Sequence, residues 1–66
     1  MRVRFDPDAD ALYIRLAEGK VSESAEVSPG IVLDYDAESR VVGIEVLEAG
    51  KLMSASELRR IDFEVA

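Results

Sequence analysis

The chain has 66 residues and a formal net charge of −6, from 14 Asp or Glu and 8 Lys or Arg. It contains no Cys, no His and no Trp, which excludes disulfides, thiolate zinc sites and nucleophile–base pairs built on Cys or His. The length predicts one domain over residues 1–66, and the hydrophobic fraction of 48% is typical of a globular chain.

Alternation of apolar and other residues with a period of two dominates the chain as far as residue 47. This period predicts strands with one buried face. The alternating positions of the five predicted strands are, in chain order, Val3 and Phe5; Leu12, Ile14 and Leu16; Val21, Glu23, Ala25 and Val27; Ile31, Leu33 and Tyr35; and Val42, Ile44 and Val46. Because the connections are short, we predict a five-stranded antiparallel β-meander, in which consecutive strands pair.

One short C-terminal helix is predicted to begin near Ser54. Ser54 and Glu57 have the spacing of a capping box, and Met53 and Leu58 have that of a hydrophobic staple. The helix is expected to last about two turns and to end at the basic residues 59–60, which suit a helix C-terminus.

The rest of the C-terminal region is less regular. Ile61, Phe63 and Val65 alternate with acids, which favours a short final strand over continued helix, whereas residues 49–53 fit either a loop or a helical turn. The predicted fold class is therefore α+β. In it, Leu58 and Leu52 cover the apolar face of the sheet, formed by Val3, Phe5, Leu12, Ile14, Leu33 and Ile44.

Two stretches of the chain resemble the small prokaryotic family catalogued as domain of unknown function 2283. The first is Arg4-Phe5-Asp6-Pro7-Asp8-Ala9-Asp10-Ala11-Leu12-Tyr13-Ile14-Arg15-Leu16. The second is Val27-Ser28-Pro29-Gly30-Ile31-Val32-Leu33-Asp34-Tyr35-Asp36, followed by Val41-Val42-Gly43-Ile44-Glu45-Val46-Leu47. The resemblance implies a compact β-rich fold. It supplies no catalytic or binding residues, and it implies an antitoxin-like role through relatives that look like partners of small toxin-like proteins.

Asp6, Asp8 and Asp10 are the candidate metal ligands, because their spacing matches the start of a calcium loop. The register then fails, since the loop needs Gly where Ala11 stands and a bidentate Glu where Ala17 stands. Asp also favours turns, where its side chain accepts a bond from the backbone two residues on. We expect turn carboxylates here and no metal or cofactor.

Acidic residues concentrate between residues 18 and 38, where six acids face a single base, Lys20. We predict that Glu23, Glu26 and Asp34 form a docking surface for a basic protein. The alternative is a solvated face that keeps an edge strand from aggregating.

Tyr13 lies on the strand face opposite Leu12 and Ile14, where other apolar side chains could join it in an interface. Such a sheet face could meet a partner or a second copy of the chain. We expect a homodimer, because a chain this short buries little surface alone.

Arg2, Arg4 and Arg15 could form a small basic stripe on neighbouring strands. The negative net charge opposes long-range attraction to phosphate backbones, so nucleic-acid binding is not expected. No segment approaches the ~20 apolar residues that a membrane span needs, and no secretory signal opens the chain, so a cytoplasmic location is expected.

These observations favour a non-catalytic protein-binding module with an acidic surface over an enzyme. Catalysis by paired carboxylates needs a concave, partly dry pocket that raises one pKa, and a domain of this size offers little volume for one. The rival hypothesis is a small metabolite- or metal-binding protein whose site forms between protomers.

Overall fold

The structure, a computed structural model, describes all 66 residues. Its five strands are β1 (Arg2–Asp6), β2 (Ala11–Arg15), β3 (Glu23–Ser28), β4 (Ile31–Tyr35) and β5 (Val41–Leu47). All pairings are antiparallel. The five-stranded antiparallel sheet is therefore confirmed, with each strand where the alternation placed it.

The order of the strands differs from a meander. It is β1-β2-β5-β4-β3, so β2 and β3 do not pair and β5 lies between β2 and β4. The connection over residues 16–22 crosses three strand spacings, about 14 Å, which seven residues span easily. Its start is bound to the first residues of β5, because the Leu16 N–H donates to the Val42 carbonyl at 2.9 Å.

A physical reason for this order is the composition of the strands. β5 contains three buried residues, Val42, Gly43 and Val46, and the centre of a sheet is the position that removes most surface from water. All six residues of β3 are exposed, and a polar strand is best tolerated at an edge.

The predicted helix is wrong. The capping box does form, since the Ser54 N–H donates to Glu57 Oε1 at 2.8 Å and the Glu57 N–H donates to Ser54 Oγ at 3.2 Å. It supports only one 3₁₀ turn, Glu57–Arg59. A second 3₁₀ turn, Ala49–Lys51, occupies the stretch that could be loop or helix.

The final strand is also wrong, because residues 61–66 carry no secondary structure and are all exposed. Nothing in the sheet accepts this segment as a sixth strand, although its residues alternate. The structure contains no helix with the length and apolar character that crossing a bilayer requires.

The register defines an apolar face of the sheet. One row of paired residues joins Val3, Ile14, Ile44 and Leu33, and the next joins Phe5, Leu12, Val46 and Ile31. Met53 and Leu58 cover part of this face and, with Ile61, line an apolar groove of about 450 Å³ against Val3, Phe5, Leu12 and Ile14. Leu52, expected to share the cover, is 64% exposed instead.

Candidate functional site

The polar face of the sheet separates its charges. One row of paired residues runs Arg4, Tyr13, Glu45, Val32, Glu26, and the next runs Arg2, Arg15, Gly43, Asp34, Ser24. Guanidinium groups therefore occupy the β1–β2 side, and carboxyl groups occupy the β5–β4–β3 side. Tyr13 and Gly43 lie at the boundary between the two.

Asp34 is the most buried charged residue of the protein, at 3% exposure. Its Oδ1 accepts a hydrogen bond of 2.6 Å from Ser24 Oγ on the neighbouring strand. A buried carboxylate without a partner costs several kcal/mol. The bond from Ser24 therefore helps Asp34 to remain buried on the polar face.

Gly43 makes room for the groups around Asp34. A Cβ atom at this position would lie 2.7 Å from Tyr13 Oη and 3.2 Å from Asp34 Oδ2. The missing side chain thus lets a hydroxyl and a carboxylate approach each other over the backbone of a central strand, which is a known use of glycine within strands.

Glu45 shares this acidic side with Asp34. A hydrogen bond with Asp34 raises the pKa of Glu45 above its ordinary value, and partial burial and the charge of Asp34 act in the same direction. The neighbouring Asp34 carboxyl therefore favours the protonated form of Glu45.

Arg15 is held on the opposite side of the boundary. Its Nη1 donates to Tyr13 Oη at 3.2 Å, its Nε donates to the Ala17 carbonyl at 2.9 Å, and Nη2 donates to the Gly19 carbonyl. The bond with Tyr13 is the main cause that raises the pKa of Arg15. The guanidinium is therefore fixed in position by its own strand and the loop that follows.

The three acids of the predicted docking surface are not brought together. Glu26 and Asp34 lie on the polar face, whereas Glu23 pairs with Tyr35 and points to the other face. Glu23 and Glu26 are exposed and take part in none of the five ion pairs. Asp34 is buried, so the exposed members of the predicted surface are Glu23 and Glu26 on the β3 edge.

Two of the three candidate metal ligands, Asp6 and Asp10, have separate hydrogen-bonding roles. Asp6 Oδ1 accepts from the Asp8 N–H at 3.0 Å, the turn contact expected from the sequence. Asp10 Oδ1 accepts from the Gly50 N–H at 3.0 Å and so links the first turn to the segment after β5. No group of three carboxylates in the protein has the arrangement of a metal site.

Sequence reasoning missed Glu45 and Gly43. Glu45 shares a face with Asp34 and Tyr13 in the observed register. A glycine inside a predicted strand does signal a close approach, and this signal could have drawn attention to the residues around position 43.

A family model described as a protein of unknown function, DUF2283, matches residues 2–49, which include all five strands. The chain matches none of the curated proteins and none of the solved structures with which it was compared.

Proposed function

The chain belongs to the DUF2283 family, whose description assigns no activity, and we propose that it is a non-catalytic cytoplasmic protein-binding module, acting as a small antitoxin would. In this proposal the acidic β3 edge binds an extended basic segment of a partner protein. The observation that carries it is an exposed edge strand whose two acids, Glu23 and Glu26, have no cationic partner.

Backbone pairing would supply the affinity. β3 bonds only to β4, so one row of its N–H and C=O groups has no strand beside it, and such an edge can accept a further strand. Glu23 and Glu26 project to opposite faces, so a basic strand laid along β3 could meet a carboxylate on either side. Charge complementarity of this kind contributes mainly to specificity and to the rate of association.

The test uses a ten-residue peptide in which Lys alternates with Val, and a second peptide with Glu in place of Lys. We expect the Lys peptide to bind by fluorescence anisotropy, with an affinity that falls as salt rises. The double variant Glu23→Lys/Glu26→Lys should lose this binding. Asp62→Lys/Glu64→Lys, a matched double charge reversal at exposed residues outside the sheet, should retain it.

Equal binding by both variants would overturn the proposal. If both variants bound equally and only Glu23→Lys/Glu26→Lys aggregated, the role of the two acids would be to keep the β3 edge soluble. That is the alternative drawn from the sequence.

The proposed module is a homodimer in which a second copy covers the apolar face. The solvent-accessible surface is 5187 Å², whereas a folded monomer of 7.3 kDa is expected to expose about 4,200 Å². The excess, about 1,000 Å², is close to the ~800 Å² that each partner buries in a standard interface. Light scattering should give twice the chain mass, and a monomer mass at every concentration would end this part of the proposal.

A further inference from the structure

A cleft of about 210 Å³ lies on the polar face at the β1–β2 side and is lined by Arg2, Arg4, Tyr13 and Arg15. Three guanidinium groups therefore border one small cavity in a protein whose net charge is −6. No carboxylate lines it. This cleft is separate from the β3 edge, which lies at the other end of the sheet.

The arrangement places two guanidinium groups side by side. Arg2 and Arg15 are directly opposite in the β1–β2 register, and like charges in this position destabilise a sheet. The acid nearest to Arg2 is Glu18, at 3.9 Å, and both side chains are largely exposed. Such a contact compensates little, whereas Arg15 has its charge favoured by Tyr13, Glu18 and Asp34.

The cleft also combines one arginine side chain that is held by hydrogen bonds with one that makes none. Arg15 is held by Tyr13 and by two backbone carbonyls, so its position needs little ordering when a ligand binds. Arg4 takes part in none of the five ion pairs and in no side-chain hydrogen bond. Its donors are available, and guanidinium groups bind oxyanions through paired N–H groups.

We propose that the arginine cleft binds a phosphate group carried by a small molecule. Three guanidinium groups match an oxyanion with more than one negative charge better than they match a single carboxylate. The source is a small molecule rather than a nucleic acid, because the acidic remainder of the surface repels a polyanion. The ligand class is thus inorganic phosphate or a phosphorylated metabolite.

Two-dimensional NMR at constant ionic strength tests the cleft with inorganic phosphate and, separately, with a 5′-mononucleotide. We expect both to shift the backbone signals of β1 and β2 in a saturable manner, and tighter binding of the mononucleotide would identify a phosphorylated metabolite as the source. Arg4→Gln should weaken phosphate binding about tenfold, the loss typical of one charge-assisted hydrogen bond. Because Arg4 has no ion pair, the variant should keep the wild-type melting temperature.

Arg59→Gln is the matched control, since it removes the same charge from a residue that lines the groove on the apolar face and should leave phosphate binding unchanged. Equal weakening by Arg4→Gln and Arg59→Gln would overturn the proposal, as would the absence of saturable shifts. Binding of a single-stranded oligonucleotide without binding of phosphate or the mononucleotide would overturn it in favour of nucleic acid. None of these results depends on the β3 edge, so the two proposals fail separately.

Discussion

The two faces of the sheet bury their side chains by different means. The apolar face has two rows of large hydrophobic side chains, yet no large side chain of the protein is fully buried, because one sheet and a short C-terminal segment make only a partial layer. The polar face has no layer above it and still buries Asp34 to 3% exposure. On the polar face, a hydrogen bond and the space that Gly43 leaves allow Asp34 to be buried. On the apolar face, packing buries the large side chains only in part.

The largest expected effect compares two neighbouring residues of β5 that point to opposite faces. Val46 is 9% exposed on the apolar face, and Leu47 is 39% exposed on the polar face. Val46→Asp places an unpaired carboxylate among apolar side chains, at a cost of several kcal/mol, whereas a chain of this length is stable by about 3–10 kcal/mol. We expect circular dichroism to show loss of the fold.

Leu47→Asp is the control and should change the free energy of unfolding by about 1 kcal/mol or less. Cooperative urea unfolding of Val46→Asp at nearly the wild-type midpoint would show that the apolar face contributes less than its composition indicates.

An intermediate effect is expected at the close approach over Gly43. In Gly43→Ala the new Cβ would lie 2.7 Å from Tyr13 Oη, and overpacking of this kind costs about 1–3 kcal/mol. Tyr13→Phe removes the hydroxyl and leaves a contact of 3.1 Å to Cε1. In a double-mutant cycle by urea unfolding, Gly43→Ala should therefore cost less in the Tyr13→Phe background, and strict additivity would contradict the crowding.

The smallest effect concerns the carboxyl pair and its dependence on pH. Because the folded protein raises the pKa of Glu45 above 4.5, the contribution of this group to stability is complete below that value and is lost as pH rises through the folded pKa. Glu45→Gln keeps a neutral donor for Asp34. At pH 7 it should raise the free energy of unfolding by about 1 kcal/mol or less, and the difference should vanish by thermal melting near pH 4.

Asp36 supplies a matched control with the opposite sign. Its carboxylate accepts from the backbone N–H groups of Arg40 and Glu38 and from the Arg40 side chain, and the bond with the Arg40 N–H is the main cause that lowers its pKa below 3.8. Its contribution to stability is present above that value and is lost as pH falls through the folded pKa. Asp36→Asn should therefore destabilise the protein at pH 7 and have less effect in acid, and the same pH trend for both variants would contradict this assignment.

The strands could be predicted from the sequence, because a period of two survives in each of them and a one-residue slip would turn Ile14 or Ile44 outward. The strand order could not be predicted, since short connections are compatible with more than one pairing. The choice depends on which strand buries most surface by lying at the centre of the sheet. The predicted helix does not form because a capping box fixes only a first turn. A two-turn helix is marginal without a packed face, and little of the sheet lies against this one.

The candidate site shows the same limit. Alternation placed Tyr13 on the face opposite Leu12 and Ile14 and the three arginines on neighbouring strands, but it cannot distinguish an exposed acid from a buried one. Asp34 and Glu26 occupy equivalent positions in the pattern, yet Asp34 lies over Gly43 on a central strand and Glu26 lies on an edge. This difference arises from the pairing of β4 with β5, which lies outside local sequence patterns.

The central position of β5 has a consequence for folding during synthesis on the ribosome. The first 35 residues can make only two separate hairpins, β1–β2 and β3–β4, and an isolated hairpin is marginally stable in water. The last strand to be synthesised is the one that joins them. The nascent chain should therefore stay unfolded until residue 47 has left the exit tunnel and then fold in a single step, which leaves no folded fragment for a partner to bind before the sheet is complete.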